Sequence, residues 1–233
     1  MHLGLIQSYP GGNHDFQFLW PYAKRHAGFD QVLVTGPKGT WHPPEASFFG
    51  CSRDAYVDGD NLPQKLTVSV GYALANYQFD WMTVEEYDVW HCRDFVREVP
   101  PGVMCGICVG GRLPGCENEW FTHWPCSATR GTWSEWFKAA LTLLYEGRRQ
   151  NGHPDAFLAV ACQMAGIEPK FDAWHGFSRN TIHGLNPANP NQPDFLPEAR
   201  AAYQAGCRVM HGVKSSRVYA CAVEQTVREI TRP

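Results

Sequence analysis

Short apolar runs alternate with stretches of helical spacing through the amino-terminal part of the chain. His2-Leu-Gly-Leu-Ile-Gln-Ser-Tyr9 reads as a strand that ends at the loop signal Pro10-Gly11-Gly12-Asn13. Asp15 to His26 has helical spacing, with Phe16, Leu19 and Trp20 on one face and Pro21 expected to bend or shift it. Gln31 to Thr35 is a second strand stopped by Gly36-Pro37, and Ala46 to Cys51 a candidate third. Asn61 to Asn76 carries Leu66, Val70 and Leu74 at i, i+4 and i+8, the period of a helix. Asp80 to Val89 follows as a further strand. Later in the chain Gly102 to Val109 reads as a strand. Thr132 is the expected cap of a helix running to about Gly147, with Glu135 completing a capping box. Pro154 opens another helix closed by Gly166, and the proline-rich "NPANPNQPDFLP" is an irregular loop.

Strands separated by helices argue for an α/β fold with a mostly parallel sheet, in which ligands bind outside the carboxyl ends of the strands. One strand ends there in three acids, "VEEYDVW", with Glu85, Glu86 and Asp88. Charges in an otherwise apolar strand cost several kcal/mol unless something pairs with them. Strand alternation puts Glu86 and Asp88 on one face and Tyr87 on the other. Two such carboxylates either hold a divalent cation, for which hard oxygen ligands suit Mg²⁺ or Mn²⁺, or are surface acids at a strand end.

Composition narrows the classes. The chain has 233 residues, 44% hydrophobic and 13% aromatic, with a net charge of -3, which describes a folded globular protein without a global basic field. From Arg200 to Pro233, Arg200, Arg208, Lys214, Arg217, Arg228 and Arg232 face only Glu224 and Glu229, so this end is locally basic. A solvated helix face or a polyanion partner both account for it. No run approaches the roughly 20 apolar residues of a membrane helix, and no signal peptide is evident. Nine cysteines without a disulfide-framework spacing point to free thiols in a reducing cytoplasm.

The acid-x-acid end of "FDWMTVEEYD" resembles the Asp-x-Asp signature of GT-A glycosyltransferases, spelled here Glu86-Tyr87-Asp88. The resemblance implies a single GT-A-like domain over 1–233, with a nucleotide-sugar-binding half (1–100) and an acceptor half (101–233). In that family the motif holds a divalent metal on the diphosphate of a nucleotide-sugar. Three further segments fit. Ser8 and Tyr9 fall where the family places base and ribose contacts, and Asn61 and Lys65 open the helix before the acidic strand. "VMHGVKS" is similar to the carboxyl-terminal His-x-x-Lys-type element that completes the metal shell, with His211 as a ligand and Lys214 gripping phosphate. The implied metal ligands are thus Glu86, Asp88 and His211, and the donor contacts Ser8, Tyr9, Asn61, Lys65, Glu86 and Lys214. Asp155, in "HPDAFL", takes the place of the base used by inverting members; an Asp in a first turn is equally favoured by the helix dipole.

Trp120, His123, Trp124, Trp133 and Trp136 crowd one region, divided between core packing and an acceptor pocket. Glu117, Trp120, His123 and Trp124 are the candidate acceptor contacts. The expected activity is a hexosyl- or pentosyl transfer, dependent on Mn²⁺ or Mg²⁺, from a nucleotide-sugar, a UDP-sugar first, to a hydroxyl acceptor. A hydroxymethylated base in phage DNA and a soluble glycan both meet that description, in the cytoplasm of a bacterium or phage-infected cell. A nucleotide-binding module of the same fold without turnover is the alternative. Cys105-Gly-Ile-Cys108 invites a zinc reading. No second Cys-x-x-Cys exists, and no histidine is followed two residues later by Glu as a nucleobase deaminase requires, so packing is the simpler account.

Overall fold

The computed structural model describes residues 1–51, 62–94, 98–107, 123–149, 154–171, 204, 206 and 208–210. Its elements in chain order are β1 (His2–Gln7), a 3₁₀ turn (Pro10–Gly12), α1 (Asn13–His26), β2 (Gln31–Gly36), β3 (Ser47–Gly50), α2 (Leu62–Asn76), β4 (Trp81–Glu86), β5 (Trp90–His91), β6 (Val103–Ile107), β7 (His123–Thr129), α3 (Arg130–Tyr145), α4 (Pro154–Met164), β8 (Glu168–Phe171) and β9 (Val209–Met210). Seven strands form a mixed sheet in the order β3-β2-β1-β4-β7-β6-β8, and β5 and β9 form a separate two-stranded ribbon. Within the large sheet β7 alone runs antiparallel to its neighbours. The fold is therefore α/β, a mixed sheet flanked by helices.

Every residue of β1 is buried, as expected of a parallel strand covered on both faces. Leu3, Leu5, Leu33, Met82, Val84, Cys126 and Ala128 join the larger core with Leu66, Val70 and Ala73 of α2, Trp133 and Trp136 of α3 and Phe157 of α4. The opposite face packs Ile6 and Val34 against Phe16, Trp20 and Ala23 of α1. α4 is buried without a break from Ala156 to Cys162, the pattern of a helix enclosed by neighbours. Gly166, at φ 65°, follows it in the left-handed region.

Two expectations need correction. The strand expected over Asp80 to Val89 stops at Glu86; Tyr87 and Asp88 form a turn before β5. The third helix begins a turn earlier than Thr132. Its cap is Thr129, whose hydroxyl accepts from the Thr132 amide at 3.2 Å. Thr132 sits inside the first turn, where its own hydroxyl accepts from the Gly102 amide at 3.0 Å. Of the crowded tryptophans, Trp133 and Trp136 fall on the core side of the division: their indole N–H groups donate to Met82 O at 2.9 Å and Leu158 O at 3.1 Å.

Candidate functional site

The chain builds outward from β1 through β2 to β3, then crosses to β4 on the other side of β1. That reversal makes the carboxyl ends of β1 and β4 the switch point of the sheet, where α/β folds form a crevice. Gln7 and Glu86 lie side by side in register at this end. The segments that follow them, Ser8 to Gly12 and Tyr87 to Asp88, form the two lips.

Backbone bonds hold both lips down. Ser8 N donates to Thr35 O at 2.9 Å and Tyr87 N to Gln7 O at 3.0 Å. Gly36 makes this closeness possible, because a Cβ there would stand 2.7 Å from Ser8 O. Gly12 plays the same part opposite Tyr87, whose ring would lie 2.5 Å from an added Cβ. Tyr9 and Tyr87 meet edge to face, centroids 5.2 Å apart, with their hydroxyls 3.4 Å apart. Burial raises the Tyr87 phenol far above its ordinary range, with the Asp88 charge acting in the same direction.

Lys65 reaches into this end from the first turns of α2. It is 3% exposed, and its ammonium donates to Ser8 O at 3.3 Å. Burial lowers its pKa to about 7, while the nearby Cys51 and Glu86 pull it up. Glu86 shares the strand face of Val84, the α2 side, and is partly exposed. Asp88 is fully buried in the turn. The two acids therefore do not share a strand face, as alternation had suggested: the turn intervenes and re-aims the second.

Glu85 answers to a different partner. It points to the face opposite Glu86, where His91 Nε2–H donates to its carboxylate at 2.8 Å, and both side chains are buried. The same face carries a second polar chain, in which His2 Nε2 meets the Thr83 hydroxyl at 2.7 Å and Thr83 meets Ser127 at 2.7 Å. No sequence period exposes these pairings, because each joins residues brought together only by the sheet or by the turn.

β7 enters from the same end as the lips, starting at His123 and reaching Cys126 opposite Val84. Asp155, in the first turn of α4, is close enough to Cys126 for its charge to help raise that buried thiol, after burial itself. Ser8, Tyr9, Lys65, Glu86, Asp88 and Asp155 thus gather at one end of the sheet. For His123 and Trp124 only the backbone is described. Asn61, Glu117, Trp120, His211 and Lys214 lie outside the described residues.

β9 pairs antiparallel with β5, Met210 opposite Trp90 and Val209 opposite His91, so the described chain reaches Met210 beside a strand that starts two residues after Asp88. Two carboxylates, Asp88 buried in the turn and Glu86 at the strand end, are hard oxygen donors of the kind Mg²⁺ or Mn²⁺ takes. Among the described residues no three His, Cys, Asp or Glu side chains converge. Cys105 is buried in the sheet; Cys108 lies outside the described residues. No helix among the described residues is long and apolar enough to cross a membrane. No family model matches the chain, and no curated protein matches it in sequence.

Proposed function

We propose that the protein is a GT-A-like glycosyltransferase that moves a sugar from a nucleotide-sugar, a UDP-sugar first, to a hydroxyl acceptor with the help of Mn²⁺ or Mg²⁺. One observation carries the reading. The switch point between β1 and β4 collects Ser8, Tyr9, Lys65 and the Glu86–Asp88 turn, and the β5–β9 pairing sets Met210 opposite Trp90, two residues after Asp88. A crevice of this kind, with backbone lips, an aromatic pair, a cation and two carboxylates, suits a nucleoside diphosphate group.

Asp88, Glu86 and His211 would hold the metal, which when bound neutralises charge on the departing diphosphate. Ser8 and Tyr9 would seat the nucleoside, with Asn61 beside them. Lys65 and Lys214 would supply positive charge to phosphate. Asp155 would take the proton of the attacking acceptor hydroxyl if the reaction inverts the anomeric centre. Glu117, Trp120, His123 and Trp124 would contact an acceptor, whether a hydroxymethylated DNA base or a soluble glycan.

The test is thermal melting with UDP, GDP and other nucleotides, with and without Mn²⁺, on wild type and Asp88→Ala. A ligand at about 100 times its dissociation constant adds about 2.7 kcal/mol. A Mn²⁺-dependent shift with one nucleotide, absent in Asp88→Ala, is the expected result. No shift with any nucleotide would sink the reading. Release of nucleoside diphosphate on adding acceptor then separates an enzyme from a binding module that takes up nucleotide without turnover.

A further inference from the structure

Glu85 of "VEEYDVW" points to the sheet face opposite Glu86, and its pairing brackets the other two acids. His91 lies six positions further along the chain, and the residues between include Glu86, Tyr87 and Asp88. The 2.8 Å bond closes this loop from behind, on the side of the sheet opposite Lys65. Three other contacts fix the same loop from different directions. Tyr87 N donates to Gln7 O at 3.0 Å and Val89 N to Glu86 O at 3.3 Å. Trp90, fully buried, meets Tyr22 of α1 edge to face with centroids 6.4 Å apart. Among these only the Glu85–His91 bond ties the end of β4 to β5 through side chains. β5 in turn carries β9, the strand that leads to His211.

A buried acid and imidazole on a sheet face are a poor device for stability, since apolar residues of similar volume commonly do as well or better. They are a good device for position, because a short, buried side-chain hydrogen bond tolerates little displacement. The surroundings agree. The His91 ring packs edge to face on Phe29 with centroids 5.9 Å apart, and Phe29 packs on His2 at 5.0 Å, so the imidazole is held by rings as well as by Glu85.

We propose that Glu85 and His91 act as a positioning clamp, fixing the turn that carries Asp88 and the β5–β9 ribbon relative to Glu86. The pair touches no substrate; it sets the geometry of the groups that do. The inference rests on the reading of that turn as a metal and diphosphate site. It extends that reading to two residues which the acid-x-acid pattern leaves out.

The experiment measures Mn²⁺ affinity by electron paramagnetic resonance of the free ion. It compares wild type, Asp88→Ala, the double variant Glu85→Leu/His91→Phe and the single variant His91→Gln. The double variant removes the clamp while keeping the volume apolar and filled. His91→Gln keeps an amide N–H that can reach Glu85. Loss of groups that orient metal ligands typically weakens binding about 10- to 100-fold. The expected result is a double variant that melts cooperatively near wild type yet binds Mn²⁺ at least about tenfold more weakly, with His91→Gln retaining most of the affinity. A folded double variant with wild-type affinity overturns the clamp. If the double variant does not fold at the assay temperature, Glu85→Ala takes its place, and unchanged affinity there has the same consequence. Wild type that binds no Mn²⁺ is a separate outcome: it overturns the metal reading itself and the clamp with it.

Discussion

Lys65 offers the sharpest quantitative test, because its position costs stability in a way that depends on pH. The side chain is 3% exposed, and burial brings its ammonium down from 10.5 to about 7 despite the pull of Cys51 and Glu86. Between those two values the unfolded chain holds a proton that the folded chain has released. Unfolding then takes up a proton, so stability rises with pH through this window and is flat below it. Full displacement corresponds to about 5 kcal/mol at about 1.4 kcal/mol per pH unit, and the part gained from pH 7 to pH 9 is about 2 kcal/mol. Lys65→Met removes the titrating group and fills the same space. It should flatten that rise relative to wild type and raise stability near pH 7 by about 1–4 kcal/mol, the usual range when a buried charge gives way to an apolar side chain. Equilibrium urea unfolding of both proteins at pH 7, 8 and 9 reads this directly, and the difference between them cancels every other titrating group. The same variant should lose nucleotide affinity, which would explain why a costly lysine stays in place. Parallel pH profiles for the two proteins would refute the argument, showing Lys65 to be charged and well solvated by its surroundings.

Other consequences follow from single contacts. Burial holds His2 at about 4 against 6.5, so stability should fall by about 3 kcal/mol as pH drops through that interval, and His2→Gln should remove most of the fall in acid-unfolding curves. Gly36→Ala would place a Cβ 2.7 Å from the Ser8 carbonyl, which backbone bonds hold in place, and should cost about 1–3 kcal/mol while also weakening nucleotide binding in the melting assay. Thr129→Ala should cost about 1 kcal/mol in urea unfolding. Glu135→Ala, at an exposed site on the same helix, should stay within about 0.5 kcal/mol, the reverse of what a cap at Thr132 requires.

Much of the frame was legible because it rests on apolar spacing. Leu66 and Val70 mark the buried side of α2, and Phe16, Leu19 and Trp20 that of α1, as their periods indicate. The parallel order of β1, β2 and β4 follows from the helices between them. β7 was missed because "HWPCSAT" contains a proline and small polar residues, and it becomes a strand only by pairing with β4 and β6. The cap was misplaced because Thr129 and Thr132 are three residues apart and both satisfy a capping pattern locally; Gly102, distant in sequence, occupies the hydroxyl of the second. Alternation failed at Asp88 for a similar reason. A strand of ten residues fits the sequence, but Tyr87 bonds back to Gln7 and the chain turns. The Glu85–His91 pair needs that turn, so no period of 2 or 3.6 could have exposed it.

The two ends of the sheet differ in a way that bears on where function lies. At the amino ends of β1 and β4 several polar groups pair among themselves, although burial holds His2 at about 4 and Trp81 Nε1 is buried without a hydrogen-bond partner among the described residues. The Met1 amine meets the Asp80 carboxylate, His2 N donates to Asp30 at 2.7 Å, and the Asp30, Asp80 and Arg130 amides all find carbonyl partners. At the carboxyl ends a buried lysine, a buried aspartate and a phenol driven above its ordinary range share one small region. Ser8 Oγ and Thr35 Oγ1 are buried there without a hydrogen-bond partner among the described residues. Each such group costs about 1–3 kcal/mol in a folded protein, and sequences under no further constraint replace them with apolar residues. A buried lysine and a buried aspartate at the switch point, where α/β sheets take their ligands, are the arrangement a binding crevice requires. The burial of a lysine and an aspartate together at the carboxyl end of the sheet is why the first substitutions belong at Lys65 and Asp88.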